Sequence, residues 1–403
     1  MKKSEPYVKF SIKHFKKFKL DLTDKERKKQ NKLLKTLYIS IKEADKNVSK
    51  LMKQGIESNI SEILSANMFD SISLTNSKYF PEEIKSDIKK NTTYKINYSI
   101  TYLQIELSIV FFVYDEVVDI KEYDKYVRLM LTWIHMAKKY STTRCFTKLN
   151  ICIFMSPFKK ILPDSSVTIL GVDNANTAVT YSCYDPGEIL IFRKEEWFKV
   201  IIHETFHSFG LDFSTMNTDK FNKKMKKLYP INSTFDISET YTETWAEIIN
   251  CVFKSFYSVK INDLSLFLTY SEFLLQIERI FSLYQCYKVL GYMGLSYENL
   301  YQDNDNNIVA RDNLYKENTN IFAYYVLKAV MINDYIGFLE WCKTNNTSFI
   351  QFTKTDHNLN FFYEYIEANH DNKDFNLDLQ TLSELRVSNI IENTMRMSIV
   401  EII

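Results

Sequence analysis

Lys194-Glu195-Glu196-Trp197-Phe198-Lys199-Val200-Ile201-Ile202-His203-Glu204-Thr205-Phe206-His207-Ser208-Phe209-Gly210 is an apolar run interrupted by one compact set of polar residues. The pattern predicts a helix from Lys194 to Phe209. Gly210 stands just past its end, where a glycine can take the left-handed conformation that closes a helix. Residues four apart share one helix face, so the imidazoles of His203 and His207 can grip one metal ion. Glu204 then stands beside that ion, placed to take a proton from a metal-activated water. The whole chain has only 6 histidines, so two of them at this spacing around a glutamate is a pointed coincidence. The chemistry expected is that of a zinc hydrolase acting on peptide bonds.

The segments before this helix alternate in kind. Glu106 to Val113 is rich in β-branched and aromatic residues and predicts a strand. Tyr123 to Tyr140 has the spacing of an amphipathic helix; His135 lies on it and reads as a satisfied boundary residue. Leu149 to Met155, Thr177 to Tyr181 and Glu188 to Arg193 are three further strands. Asp185-Pro186-Gly187 is a turn, so the last two strands should pair antiparallel. One of them is then an edge strand beside the site, and Asn176 to Cys183 is the expected edge. An extended peptide or protein substrate can bind along 176–183 by main-chain hydrogen bonds.

A catalytic zinc ion usually takes three protein ligands and keeps one open position. An HExxHxxGxxH arrangement would put the third at Phe213, with Asp212 one residue out of register, so that arrangement is rejected. The alternative is a glutamate on a later helix. Glu239, Glu243 and Glu247 follow one another at four-residue intervals, and three like charges on one face are costly without a cation. Glu243 is the expected metal ligand, because Trp245 and Ala246 place it deeper in the apolar part of the helix. Glu247 would then accept the free ring N–H of a metal-bound histidine. The competing assignment shifts this by one turn, with Glu239 as the ligand and Glu243 behind it.

His203-Glu204-x-x-His207 followed by Glu243-x-x-x-Glu247 resembles the zincin superfamily, specifically its gluzincin branch. The resemblance covers roughly residues 100 to 257. That family usually has aspartate at the position of Glu247. The resemblance implies an α+β fold: a zincin-like small mixed sheet with an active-site helix, flanked by helical N- and C-terminal regions. It divides the chain into a helical region (1–95), an upper subdomain with sheet and motif helix (96–213), and a mainly helical subdomain carrying the third ligand (214–403). It further implies Zn²⁺ on His203, His207 and Glu243, and Glu204 as general base. A group on the opposite wall should stabilise the oxyanion; Tyr324, Tyr325, Tyr315 and Arg396 are the candidates. The composition, rich in Phe (29) and Tyr (27) and poor in Gly (7), fits the AT-rich genome of a parasite, protist or large DNA virus, and together with Phe192-Arg-Lys-Glu-Glu-Trp-Phe198 it resembles a zincin of a large DNA virus. Two other readings stand beside the enzyme. One is a catalytically inactive or structural zincin-like scaffold or virion component; the other is a helical interaction protein.

A net charge of +1 over 403 residues gives no general attraction to nucleic acid or acidic membranes, and neither partner is expected. Only the start is basic, with Lys2, Lys3, Lys9, Lys13, Lys16, Lys17 and Lys19 against Glu5. It reads as a solvated, partly mobile N-terminus, with a docking arm for an anionic surface as the alternative. Residues 1 to about 95 read as mostly helical, with Leu33, Leu34, Leu37, Ile39, Ile41, Leu51, Ile56 and Ile60 along one long element. Beyond Phe213 the chain reads as mainly helical, with Asp236-x-x-Glu239 as a capping box, then helices at Ser265–Tyr287 and Asn320–Trp341. Neither a leader peptide nor a membrane span is expected. The six cysteines, without a CxxC pair, read as reduced thiols of an intracellular protein, Cys183, Cys251 and Cys286 as small core residues.

Overall fold

The computed structural model describes residues 5–18, 21–63, 69, 72–142, 144–259 and 263–402. Lys2, Lys3 and Lys19 of the basic start lie outside the described residues. The fold mixes helices with one six-stranded mixed sheet, and it divides into two units.

The first unit comprises Thr36–Lys159 and Asn176–Thr215 and holds the entire sheet. Its strands are β1 (Glu57–Glu62), β2 (Tyr94–Tyr102), β3 (Ile105–Val113), β4 (Lys148–Phe154), β5 (Ala178–Thr180) and β6 (Gly187–Ile191), in the order β1-β2-β3-β4-β6-β5. β1, β2 and β3 pair antiparallel, and β3, β4 and β6 run parallel. β5 pairs antiparallel with β6 and is the edge, as the turn at Asp185-Pro186-Gly187 predicts. The central strands are apolar on both faces because both are covered. Val110, Phe112, Cys152, Phe154, Leu190 and Phe192 pack against Phe80, Ile84 and Ile88 on one side. On the other, Phe111 meets Tyr123 and Tyr126 of the helix Ile120–Tyr140. That helix also supports the motif helix Trp197–Ser208: Trp133 stacks on Phe206, with centroids 5.8 Å apart, and its indole N–H donates to Thr205 Oγ1.

The stretch before residue 95 is not helical throughout. The long helix Asp24–Lys53 stops at Gly55, which takes φ 87, and Ile60 lies on β1. β1 is exposed along its whole length, so no apolar alternation marks it; only its main-chain pairing with β2 makes it a strand. Ile39 is 51% exposed, whereas Leu34, Leu37 and Ile41 are buried. The six cysteines are not all free thiols. Cys145 and Cys183 form a disulfide, and Cys183 is therefore no core thiol. Cys152, Cys251, Cys286 and Cys342 are free and buried. Among the described residues, no helix is long and apolar enough to cross a membrane.

The second unit comprises Met1–Lys35, Lys160–Ala175 and Met216–Ile403 and is mainly helical. Ile237–Ser258 and Leu264–Tyr292 are its long helices. Asp236 precedes the first as N-cap, but its side chain accepts from Ser238 Oγ at 2.7 Å and makes no cap bond to the backbone. The segment expected as one helix from Asn320 to Trp341 is three pieces. A π-helical turn, Phe322–Leu327, runs into the helix Lys328–Asn333, and Asp334 then breaks the ladder. Asp334 caps the next helix, Tyr335–Asn345, by accepting from Gly337 N at 3.1 Å. The polar, aromatic stretch after His357 forms Asp356–Asn369 and Lys373–Leu382, each started by a side-chain cap, Thr355 and Asn372.

Candidate metal centre

The motif helix is buried along its whole length, including His203, Glu204 and His207. Its C-terminal closure is the predicted one. Gly210 has φ 61, its N–H donates to His207 O at 3.0 Å, and Leu211 N donates to Phe206 O at 2.8 Å. This turn ends the helix, and Asp212 lies five residues beyond His207. Asp212 thereby reaches the ring of His207, and its carboxylate hydrogen-bonds Nδ1. Asp212 is fully buried and is itself held by Ser214, whose N–H and Oγ donate to Oδ1 at 3.2 and 2.8 Å. A carboxylate on Nδ1 keeps the proton there and leaves the Nε2 lone pair for a metal ion. The two Nε2 atoms of His203 and His207 stand 3.2 Å apart. Donors about 2.1 Å from a tetrahedral ion stand roughly 3.4 Å apart, so this pair has the spacing of two ligands of one ion.

His203 and His207 lie in the unit that holds the sheet, and Glu239, Glu243 and Glu247 lie on the helix Ile237–Ser258 of the other. Glu239 lies in the first turn of its helix, where the helix dipole favours an anion. Glu243 and Glu247 are buried further along.

Glu247 does not take the histidine-orienting role expected of it; Asp212 does. Glu247 Oε2 instead accepts from Lys328 Nζ at 2.5 Å, and Oε1 accepts from Ser282 Oγ at 3.0 Å. Lys328 Nζ also donates to Ser282 Oγ at 2.8 Å and to Met397 O at 3.0 Å. Burial pushes the Glu247 carboxyl upward, and the Lys328 ammonium pulls against it. The position expected to stand behind a metal-bound histidine, Glu247, is therefore occupied by an ion pair. The signal for Asp212 was present in the sequence: it is the first carboxylate after the glycine that reverses the chain.

The four oxyanion candidates separate cleanly. Tyr325 OH donates to Met395 O at 2.6 Å, and Tyr315 OH donates to Glu317 Oε2 at 2.9 Å. Arg396 donates to Ser398 O at 3.0 Å and to Glu401 at 2.8 Å. Tyr324 OH donates to Glu239 Oε2 at 3.0 Å and thus touches the first carboxylate of the glutamate ladder. Tyr324 sits in the π-helical turn, a rare local form that recurs at functional sites.

No protein-family model, no curated protein and no solved structure matches this chain.

Proposed function

We infer that this protein is a zinc-dependent peptidase in which His203, His207 and Glu239 hold the ion and Glu204 is the general base. The observation that carries the reading is the pair of imidazole Nε2 atoms 3.2 Å apart on one buried helix; Glu239, in the first turn of its helix and hydrogen-bonded by Tyr324, is the proposed third ligand. Two nitrogens and one oxygen make a donor set typical of catalytic zinc, with one position left open. Asp212 on Nδ1 of His207 supports it further, since a carboxylate there keeps Nε2 unprotonated for a metal.

Bound zinc would supply a Lewis acid that activates water near neutral pH. Glu204, next to His203 in the sequence, would remove the attacking water's proton and hand it to the leaving amine. The Tyr324 phenol, already a donor to Glu239, would turn its O–H toward the oxyanion as charge develops. β5 offers the open edge of the sheet, so a peptide in extended form could add to it as a further strand.

Glu204→Gln tests the assignment. The substitution keeps shape and zinc but removes the base, so hydrolysis of a casein or mixed-peptide substrate should fall below detection while zinc content stays unchanged. Full activity in Glu204→Gln would rule out Glu204 as the base.

A further inference from the structure

The His207 end of the motif helix is tied to the hairpin between β5 and β6 by an unusually complete set of bonds. Cys183 N–H donates to His207 O at 3.1 Å. Ser182 Oγ lies 3.0 Å from Ser214 Oγ, the hydroxyl that donates to Asp212 and so to the group orienting the His207 ring. Thr180 Oγ1 lies 3.0 Å from Ser208 Oγ, which donates to Glu204 O at 3.0 Å. Residues 180 to 183 therefore grip His207 twice, once at its carbonyl and once through the carboxylate behind its ring.

The hairpin would not hold this shape unaided. Cys183 is a non-glycine residue with φ 47, a conformation that L side chains avoid. Its neighbours Tyr181 and Tyr184 are 47% and 58% exposed, so little packing fixes it. Two ties anchor it, the disulfide to Cys145 and the Asp185 carboxylate, which accepts from Thr147 N–H at 3.1 Å. Cys145 belongs to a segment mounted on the same helix end: Ser141 Oγ donates to Phe209 O at 2.8 Å, and Phe146 packs edge-on against Phe209 with centroids 4.9 Å apart. The disulfide thus closes a ring of contacts around the C-terminal turn of the metal-binding helix. Both cysteines are only half-buried.

We propose that the Cys145–Cys183 disulfide is a redox control on metal affinity, tightening the His207 mount when oxidised and slackening it when reduced. The proposal rests on the zinc reading above. A dithiol reductant cleaves the Sγ–Sγ bond; each cysteine sulfur gains one electron and one proton, and the dithiol closes to its own disulfide. Cys183 is then free to leave its left-handed conformation, and the bonds from Cys183 N to His207 O and from Ser182 to Ser214 lose their tether. Loss of such supporting contacts typically weakens a metal site by about 10- to 100-fold.

The test is zinc affinity of the full chain by chelator competition in three forms: oxidised, reduced with dithiothreitol and freed of it by anaerobic gel filtration, and the Cys145→Ser/Cys183→Ser double variant. The reduced protein and the double variant should both bind zinc about tenfold more weakly than the oxidised protein, and the double variant should not respond to reductant. The serine variant removes the thiols themselves as zinc ligands, and the reduced wild type needs no mutation to fold. Equal zinc affinity in oxidised and reduced protein would overturn the redox control alone. Failure of the oxidised protein to bind zinc would overturn the metal-site reading and the control with it.

Discussion

Tyr324 OH donates to Glu239 Oε2 at 3.0 Å, joining a residue of the π-helical turn to the carboxylate proposed as the third metal ligand. Tyr324 is 8% exposed and packs with Leu170, Val289, Ile321 and Met395, so its ring is fixed while its hydroxyl remains polar-facing. A phenol held this way is preorganised to donate a hydrogen bond to developing negative charge. Tyr324→Phe keeps the ring and removes the donor. Peptide hydrolysis should fall by about 100-fold in kcat, the usual cost of one oxyanion donor, with zinc content unchanged. Tyr325→Phe and Tyr315→Phe, whose hydroxyls serve Met395 O and Glu317, should change kcat little.

The Glu247–Lys328 pair makes a different kind of prediction. Both side chains are buried, and Lys328 directly follows the π-helical turn that carries Tyr324. Lys328→Met leaves Glu247 buried beside a thioether. Unfolding in urea should show a loss of about 3 kcal/mol, because removal of one partner strands the other charge. Lys328→Met/Glu247→Leu, which removes both charges, should recover much of that loss. A single variant as stable as wild type would show that the pair contributes nothing.

His135 supplies the pH dependence. Its Nδ1 is 2.7 Å from Tyr102 OH, and burial holds its pKa below the usual histidine range; Glu43 opposes this shift and Lys139 adds to it. The folded state then binds a proton less readily than the unfolded state. Stability rises with pH across the window between the lowered folded value and 6.5, and is lost as pH falls through that window. With metal removed by chelator, the urea midpoint should drop between about pH 7.5 and pH 5.5, and His135→Gln should flatten the drop. A His135→Gln profile parallel to wild type would contradict this.

Much of the site was legible because it is local. The HExxH spacing, the closing Gly210 and the tight turn between β5 and β6 each depend on residues a few positions apart, and each occurs in the structure where the spacing puts it. Which of three glutamates is the third ligand is not legible from spacing alone. Glu239, Glu243 and Glu247 share one periodicity, and what distinguishes them is a partner far away in sequence: Lys328, 81 residues beyond Glu247, takes the innermost carboxylate. β1 escaped for the opposite reason, since a fully exposed strand needs no apolar pattern. The Cys145–Cys183 disulfide spans 38 residues and two half-buried positions, and cysteine spacing alone does not reveal such a pair.

The metal itself is the most direct test. Purified chain, dialysed against metal-free buffer and analysed by inductively coupled plasma mass spectrometry, should carry about one zinc ion per chain. Glu239→Ala should lose it, and Glu243→Ala should keep it. A wild-type chain without zinc, or a Glu239→Ala chain that retains it while Glu243→Ala does not, would contradict the assignment of His203, His207 and Glu239 as the metal ligands.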